Sequence, residues 1–191
     1  TTRNVVNFSP TFDYRYRFNK QSMLRINYRG RTSQPSMTDL LPITDTSDPL
    51  NISKGNPSLK PSYTNSFMLF YNTFLPEKQQ SMMARLTFSN TINSVSNTVT
   101  YDEETGARIT QPKNINGNWS ASGGFVFNTP LKNKKFTVSN FSDGSYNNMV
   151  GFTSLSGQTD SQKNTTRSLN LSERLNGTFR KDWFEFGLNG G

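Results

Sequence analysis

Residues 6–18 alternate with period two. Val6, Phe8, Phe12, Tyr14, Tyr16 and Phe18 fall on even positions; Asn7, Ser9, Thr11, Asp13, Arg15 and Arg17 fall on odd ones. Successive side chains of a strand point to opposite faces, so this segment predicts a β-strand with one aromatic and one charged face. After the polar break Asn19-Lys20-Gln21 the pattern resumes, with Leu24, Ile26 and Tyr28 against Arg25, Asn27, Arg29 and Arg31. Two such runs around a tight break predict a hairpin. A three-residue loop sets Phe18 opposite Ser22, Tyr16 opposite Leu24, Tyr14 opposite Ile26 and Arg15 opposite Arg25. A slip of one residue would mix the faces, so the pattern itself argues for this register.

The same grammar recurs along the chain. Phe67, Leu69 and Tyr71 are followed, after Leu75-Pro76-Glu77-Lys78-Gln79-Gln80, by Ala84, Leu86 and Phe88. Trp119, Ala121, Phe125 and Phe127 precede a turn at Thr129-Pro130-Leu131-Lys132-Asn133, then Phe136 and Val138; Leu169, Leu171, Leu175 and Phe179 precede Arg180-Lys181-Asp182, then Phe184, Phe186 and Leu188. About eight strands in four hairpins are expected, each near the ~9–11 residues of a tilted membrane-spanning strand. Short turns within hairpins alternate with long polar connections, roughly 32–62, 96–115 and 142–166. Short turns on one side and long loops on the other are the habit of outer-membrane barrels, which places both chain ends on the periplasmic side as an expectation. Pro10 lacks a ladder donor and predicts an edge or a bulge.

Composition supports a barrel over its rivals. Hydrophobic residues make up 31% of the 191 positions, against ~45–50% apolar content (glycine included) in soluble domains. Disorder would starve the chain of aromatics, yet it holds 15 Phe, 7 Tyr and 2 Trp. In a membrane barrel only the lipid-facing half of each strand is apolar. The longest apolar run, Phe67-Met68-Leu69-Phe70-Tyr71, is far short of the ~20 residues of a spanning helix. Having neither Cys nor His, the chain lacks thiol nucleophiles, imidazole bases, disulfides and the common zinc ligands. No enzyme and no cofactor is expected. Thr1-Thr2-Arg3-Asn4 leads straight into a strand, so no signal segment is read.

The segment Gly55-Asn56-Pro57-Ser58-Leu59-Lys60-Pro61 resembles the Gly-Asn-Pro-x-Leu-x-Pro element that ends an external loop in TonB-dependent receptor barrels. Gly55 and Asn56 suit left-handed turn geometry, the prolines stiffen the chain, and Leu59 is a candidate anchor. Gln34-Pro35-Ser36-Met37-Thr38-Asp39-Leu40-Leu41-Pro42, Tyr101-Asp102-Glu103-Glu104-Thr105-Gly106, Asn114-Ile115-Asn116-Gly117-Asn118-Trp119 and the Pro130-Leu131 turn are similar to parts of the Bacteroidetes outer-membrane barrel family, so the resemblance covers most of residues 1–191. It implies an all-β, antiparallel up-and-down barrel in the bacterial outer membrane, of which about eight strands are present. Such receptors typically carry a plug. Plug, partner-binding motif and terminal aromatic are not read here, and the chain is expected to be an internal segment of one domain.

Arg15, Arg17, Arg25, Arg29 and Arg31 converge on one face of the first hairpin. They form a candidate basic cluster lining a lumen that selects anions, or they pair with carboxylates from a plug or from strands not present here, since Arg15 opposite Arg25 calls for something negative. The net charge of +8 invites nucleic acid, but aromatics and cations point to opposite faces, which argues against it. Lys132, Lys134 and Lys135 read as a solvated or headgroup-facing turn. Asp102, Glu103 and Glu104 are a candidate calcium site, or simply a solvated tip. Tyr14, Tyr16, Tyr28 and Trp119 are candidate interfacial aromatics, or core of a soluble sandwich. The resemblance implies nutrient uptake, with outer-membrane lipid, a surface lipoprotein and an energy-transducing periplasmic protein as partners. A structural barrel docking a lipoprotein and a soluble carbohydrate-binding β-sandwich are the alternatives.

Overall fold

The computed structural model of the protein describes residues 6–131, 135–153, 161–181 and 184–190. Its elements are β1 (Thr11–Arg17), β2 (Ser22–Ser33), helix α1 (Met37–Leu40), β3 (Thr44–Asp45), β4 (Asn51–Lys54), β5 (Ser62–Leu75), β6 (Gln80–Ile92), β7 (Ser94–Tyr101), β8 (Arg108–Ile115), β9 (Asn118–Pro130), β10 (Phe136–Thr153), β11 (Gln162–Lys181) and β12 (Phe184–Gly190). Eight strands form one open antiparallel sheet in the order β1-β2-β5-β6-β9-β10-β11-β12. These are the four expected hairpins. The first has the expected register, with Tyr14, Arg15 and Tyr16 facing Ile26, Arg25 and Leu24. Pro10 lies just before edge strand β1: its carbonyl accepts from Gly30 N (2.8 Å), and beyond it the Thr32 hydroxyl replaces the ladder by bonding Phe8 N and O.

The turns are staggered in a regular way. One row of cross-strand partners runs Ser22, Thr73, Met82, Phe127, Asn140, Leu175. The first turn closes on this row, where Phe18 N donates to Ser22 O. The others close two, four and six residues further on, at Leu75–Gln80, Leu131–Phe136 and Lys181–Phe184. An offset of two residues for every two strands tilts the strands about 35° if the turns lie in one plane. That is the tilt of a closed transmembrane barrel, roughly 35–45°.

The two faces differ as the alternation demands. On one lie Tyr14, Ile26, Leu69, Leu86 and Leu171 in a single row interrupted by Gly123 and Gly144. Leu86 and Leu171 lean across the two glycines but remain 59% and 76% exposed, with no second layer over them among the described residues. Aromatics collect toward both ends of this face. Tyr28, Phe67, Phe88, Trp119 and Tyr146 touch in sequence on the loop side, with ring centroids 4.7–6.4 Å apart; Tyr16, Phe18 and the Phe136–Phe179 pair lie toward the turns. A soluble sandwich would bury these side chains against a second sheet, so the exposed band overturns that alternative. The band is interrupted on β10 and β11, where Ser142 Oγ donates to Asn140 Oδ1 (3.0 Å) and Asn140 Nδ2 to Glu173 Oε1 (2.9 Å).

Several expectations need correction. The polar connection expected at 142–166 is largely strand, because β10 runs to Thr153 and β11 starts at Gln162. Three of its outward positions, Ser142, Gly144 and Asn148, carry no apolar signal, and Tyr146 alone between them does not make the alternation visible. The other two connections are not simple loops: α1, β3 and β4 occupy the first, and β7 and β8 the second. They join in a second sheet, β3-β4-β8-β7, through a parallel β4–β8 pairing. The expectation of chain ends on the periplasmic side is overturned for the described strands, because β1 enters the sheet from the loop side and β12 heads back toward it. Each hairpin descends and returns, so whole hairpins bring the chain back to its starting side. Of the basic turn, Lys132 and Lys134 lie outside the described residues, as does Asp182.

Candidate functional site

The polar face of the first hairpin gathers Arg15, Arg17, Arg25, Arg29 and Arg31 as expected, since all stand on the face of Asp13 and its partner Asn27. The negative group between Arg15 and Arg25 is Asp13, on the same strand. Its carboxylate takes Arg25 Nε (2.9 Å) and Nη2 (2.5 Å) on one oxygen and Arg15 Nε (3.0 Å) on the other. No absent plug or strand is needed for that pair. Arg17, Arg29 and Arg31 have no carboxylate partner among the described residues.

On this face, besides Arg180 near the last turn, stand two arginines that were missed in the sequence, Arg85 opposite Phe70 and Arg174 opposite Phe141. With Asp143, Met83 and Val126 they rim a hollow of about 420 Å³. Each sits singly between outward residues, Arg85 between Ala84 and Leu86. The alternation could have assigned both, though no cluster marks them.

At the loop end the chain builds a cap, and the buried apolar side chains of the described residues lie there: Leu59, Ala107, Ile115 and Val150. Leu59 is wholly buried and is the anchor its motif suggests. Gly55 serves a different purpose from the one expected. Neither Gly55 nor Asn56 has a positive φ; a Cβ on Gly55 would lie 1.8 Å from the Leu41 carbonyl oxygen, so glycine is required by close approach. Asn56 Nδ2 donates to Pro112 O (2.9 Å), and Gln111 Nε2 to Gly55 O (3.1 Å). Asn114 holds Lys60 on both sides, accepting from its N–H (2.8 Å) and donating to its carbonyl (2.9 Å). The motif is thus a clamp between the first loop and β8.

Asp102 caps the β7–β8 tip. Its Oδ1 accepts from Thr105 N (2.8 Å), Thr105 Oγ1 (2.8 Å) and Glu104 N (3.1 Å), and these bonds, led by those from Thr105, hold its carboxyl below the ordinary value. One oxygen of the candidate calcium cluster is therefore committed to the turn. Similar local bonds, first from Ser47 and Asn51 side chains, lower Asp45 and Asp48.

Cavities among the described residues at the loop end include two lined mostly by polar residues. One, of about 570 Å³, is lined chiefly by uncharged polar residues that include Ser89, Thr91, Asn118, Asn147 and Thr166. The other, of about 790 Å³, lies where all three connections meet, between Asn56–Lys60, β7–β8, Phe152 and Ser161. Ser161 ties the third connection to this place by bonding both N and O of Val99.

Comparisons with known proteins agree with this architecture. The model of a family described as the outer membrane protein beta-barrel family matches residues 1–190. A mutant of the ferric enterobactin receptor from Pseudomonas aeruginosa superposes with a TM-score of 0.50 and 12% identity, over 95% of this chain and 34% of its own. The siderophore receptor PirA from Acinetobacter baumannii gives 0.47 and 9%, over 95% and 36%. This chain spans about a third of the length of those receptors, and at such identities the first likeness shows the fold alone. No curated protein matches the sequence.

Proposed function

Given that the chain belongs to the outer membrane β-barrel family and so lies in the outer membrane, we propose that it supplies wall strands and external loops to a receptor of the TonB-dependent, Bacteroidetes type that takes up a nutrient. The observation that supports this most is the polar face. Arg17, Arg29 and Arg31 stand on it without carboxylate partners among the described residues, and a wall of that kind accommodates a hydrated or anionic solute. On this reading the loops capture the solute, a periplasmic partner supplies energy through parts of the protein outside this segment, and no catalysis is involved.

The test is a depletion footprint of the medium around cells that make the whole receptor. Cells with the gene should deplete at least one solute that deletion mutants leave untouched, and a protonophore should abolish the difference. An unchanged footprint, with a surface lipoprotein co-purifying instead, would replace uptake by a structural role. That second reading has one feature in its favour: β3 and β7 are the edge strands of the cap sheet, to which a partner strand could be added.

A further inference from the structure

We infer that the cavity where the three connections meet is an oxyanion site, taking a carboxylate or phosphate carried on a hydroxyl-rich body. Its role as a capture site rests on the uptake reading; its chemistry does not. Lys60 and Lys113 both line it, and among the described residues its lining contains no Asp or Glu. Neither lysine forms an ion pair among the described residues, since both recorded pairs belong to Asp13. Two lysines lining one cavity concentrate positive charge there, and an anion bound between their side chains offsets it and gains charge-assisted hydrogen bonds.

The walls are built in advance of any ligand. The Lys60 backbone is clamped by Asn114 on both its N–H and its carbonyl. The Lys113 ammonium lies 5.8 Å from the centre of the Phe152 ring, a contact that holds the cation through the ring face and leaves its N–H donors available. Thr98 Oγ1 donates to Gln111 O (2.8 Å) and keeps its lone pairs for a ligand hydroxyl. Thr100 and Ser58 add further hydroxyls to the lining. A pre-formed wall lowers the ordering cost of binding. The oxyanion can come from a dissolved sugar acid or sugar phosphate, or from the phosphates of lipopolysaccharide beside the loops.

The test is protection of lysines from a water-soluble amine acylator, read residue by residue by mass spectrometry, on the full-length protein in bilayers with and without lipopolysaccharide. Glucuronate and inorganic phosphate are the probes, and glucose is the neutral control. Without lipopolysaccharide, glucuronate should slow acylation of Lys60 and Lys113 at least tenfold and leave the turn lysines Lys20 and Lys78 unchanged. The Lys60→Gln, Lys113→Gln double variant should lose glucuronate binding by calorimetry at least tenfold, while Lys20→Gln, Lys78→Gln keeps it. Protection by glucose as well, protection of all four lysines alike, or no protection by any probe overturns the site. Protection by lipopolysaccharide with none by the soluble probes keeps the oxyanion site and assigns it to the membrane surface, against solute capture. No energised transport is needed, so failed uptake with intact protection counts against the proposed function alone, and intact uptake without protection counts against this site alone.

Discussion

Asp13 shows how a single residue can be legible and still misread. The alternation places it on the charged face beside Arg15, yet what decides its role is the cross-strand neighbour Arg25, which only the register supplies. Opposed arginines are unfavourable unless a carboxylate lies between them, and here it comes from two positions away on the same strand. Gly55 was misread for a related reason, because a glycine needed for contact with Leu41 O looks in sequence like a glycine needed for a turn. Leu59 was legible as an anchor because an apolar residue isolated among Asn, Pro, Ser and Lys has few other uses. Its full burial carries a prediction: Leu59→Ala should lower the local stability of the cap by roughly 2–5 kcal/mol. Hydrogen exchange at the Lys60 amide, held by Asn114 Oδ1, should accelerate accordingly while amides of β5 and β6 keep their rates. A change confined to the strands would mean that Leu59 does not anchor the cap.

Among the elements, hairpins announced themselves where the outward positions are aromatic or aliphatic, as in β1, β2, β5 and β6. Alternation fades where those positions hold Ser142, Gly144 and Asn148, and the loop-side parts of β10 and β11 were read as loop. The small cap strand β4 was also hidden, because its partner β8 lies more than fifty residues away and pairs in parallel, and β3, two residues long, pairs with β4 alone. Long-range pairing leaves no local trace in sequence. The β7–β8 tip carries a pH dependence. Asp102 has its carboxyl lowered below 3.8 by the Thr105 bonds, so its contribution is complete above the ordinary carboxylate range and is lost as pH falls through the lowered value. After correction for intrinsic exchange rates, the Glu104 and Thr105 amides should be protected at neutral pH and lose protection in strong acid. Asp102→Asn, which keeps an oxygen acceptor, should remove that dependence; an unchanged acid response in the variant would assign it to another group.

For the whole molecule, the regular displacement of the four turns accounts for the tilt, and the tilt turns a flat pattern of alternation into a piece of cylinder wall with a lipid side and a polar side. Family membership and this geometry agree on the outer membrane; the ligand and the energy source belong to the proposal. In such a wall the face on which a side chain stands, and not its hydrophobicity, decides what it meets. Strand β5 separates the two, because Met68 and Phe70 are apolar but stand on the polar face with Asn27 and Arg25, whereas Phe67, Leu69 and Tyr71 stand on the other. The chain contains no cysteine, so single cysteines at 66–71 can be tested in intact membranes with a lipid-soluble and a water-soluble thiol reagent. Cysteines at 67, 69 and 71 should react with the lipid-soluble reagent, and those at 66, 68 and 70 should not. Labelling of 68 and 70 by that reagent, or of no position at all, would contradict a membrane-spanning wall.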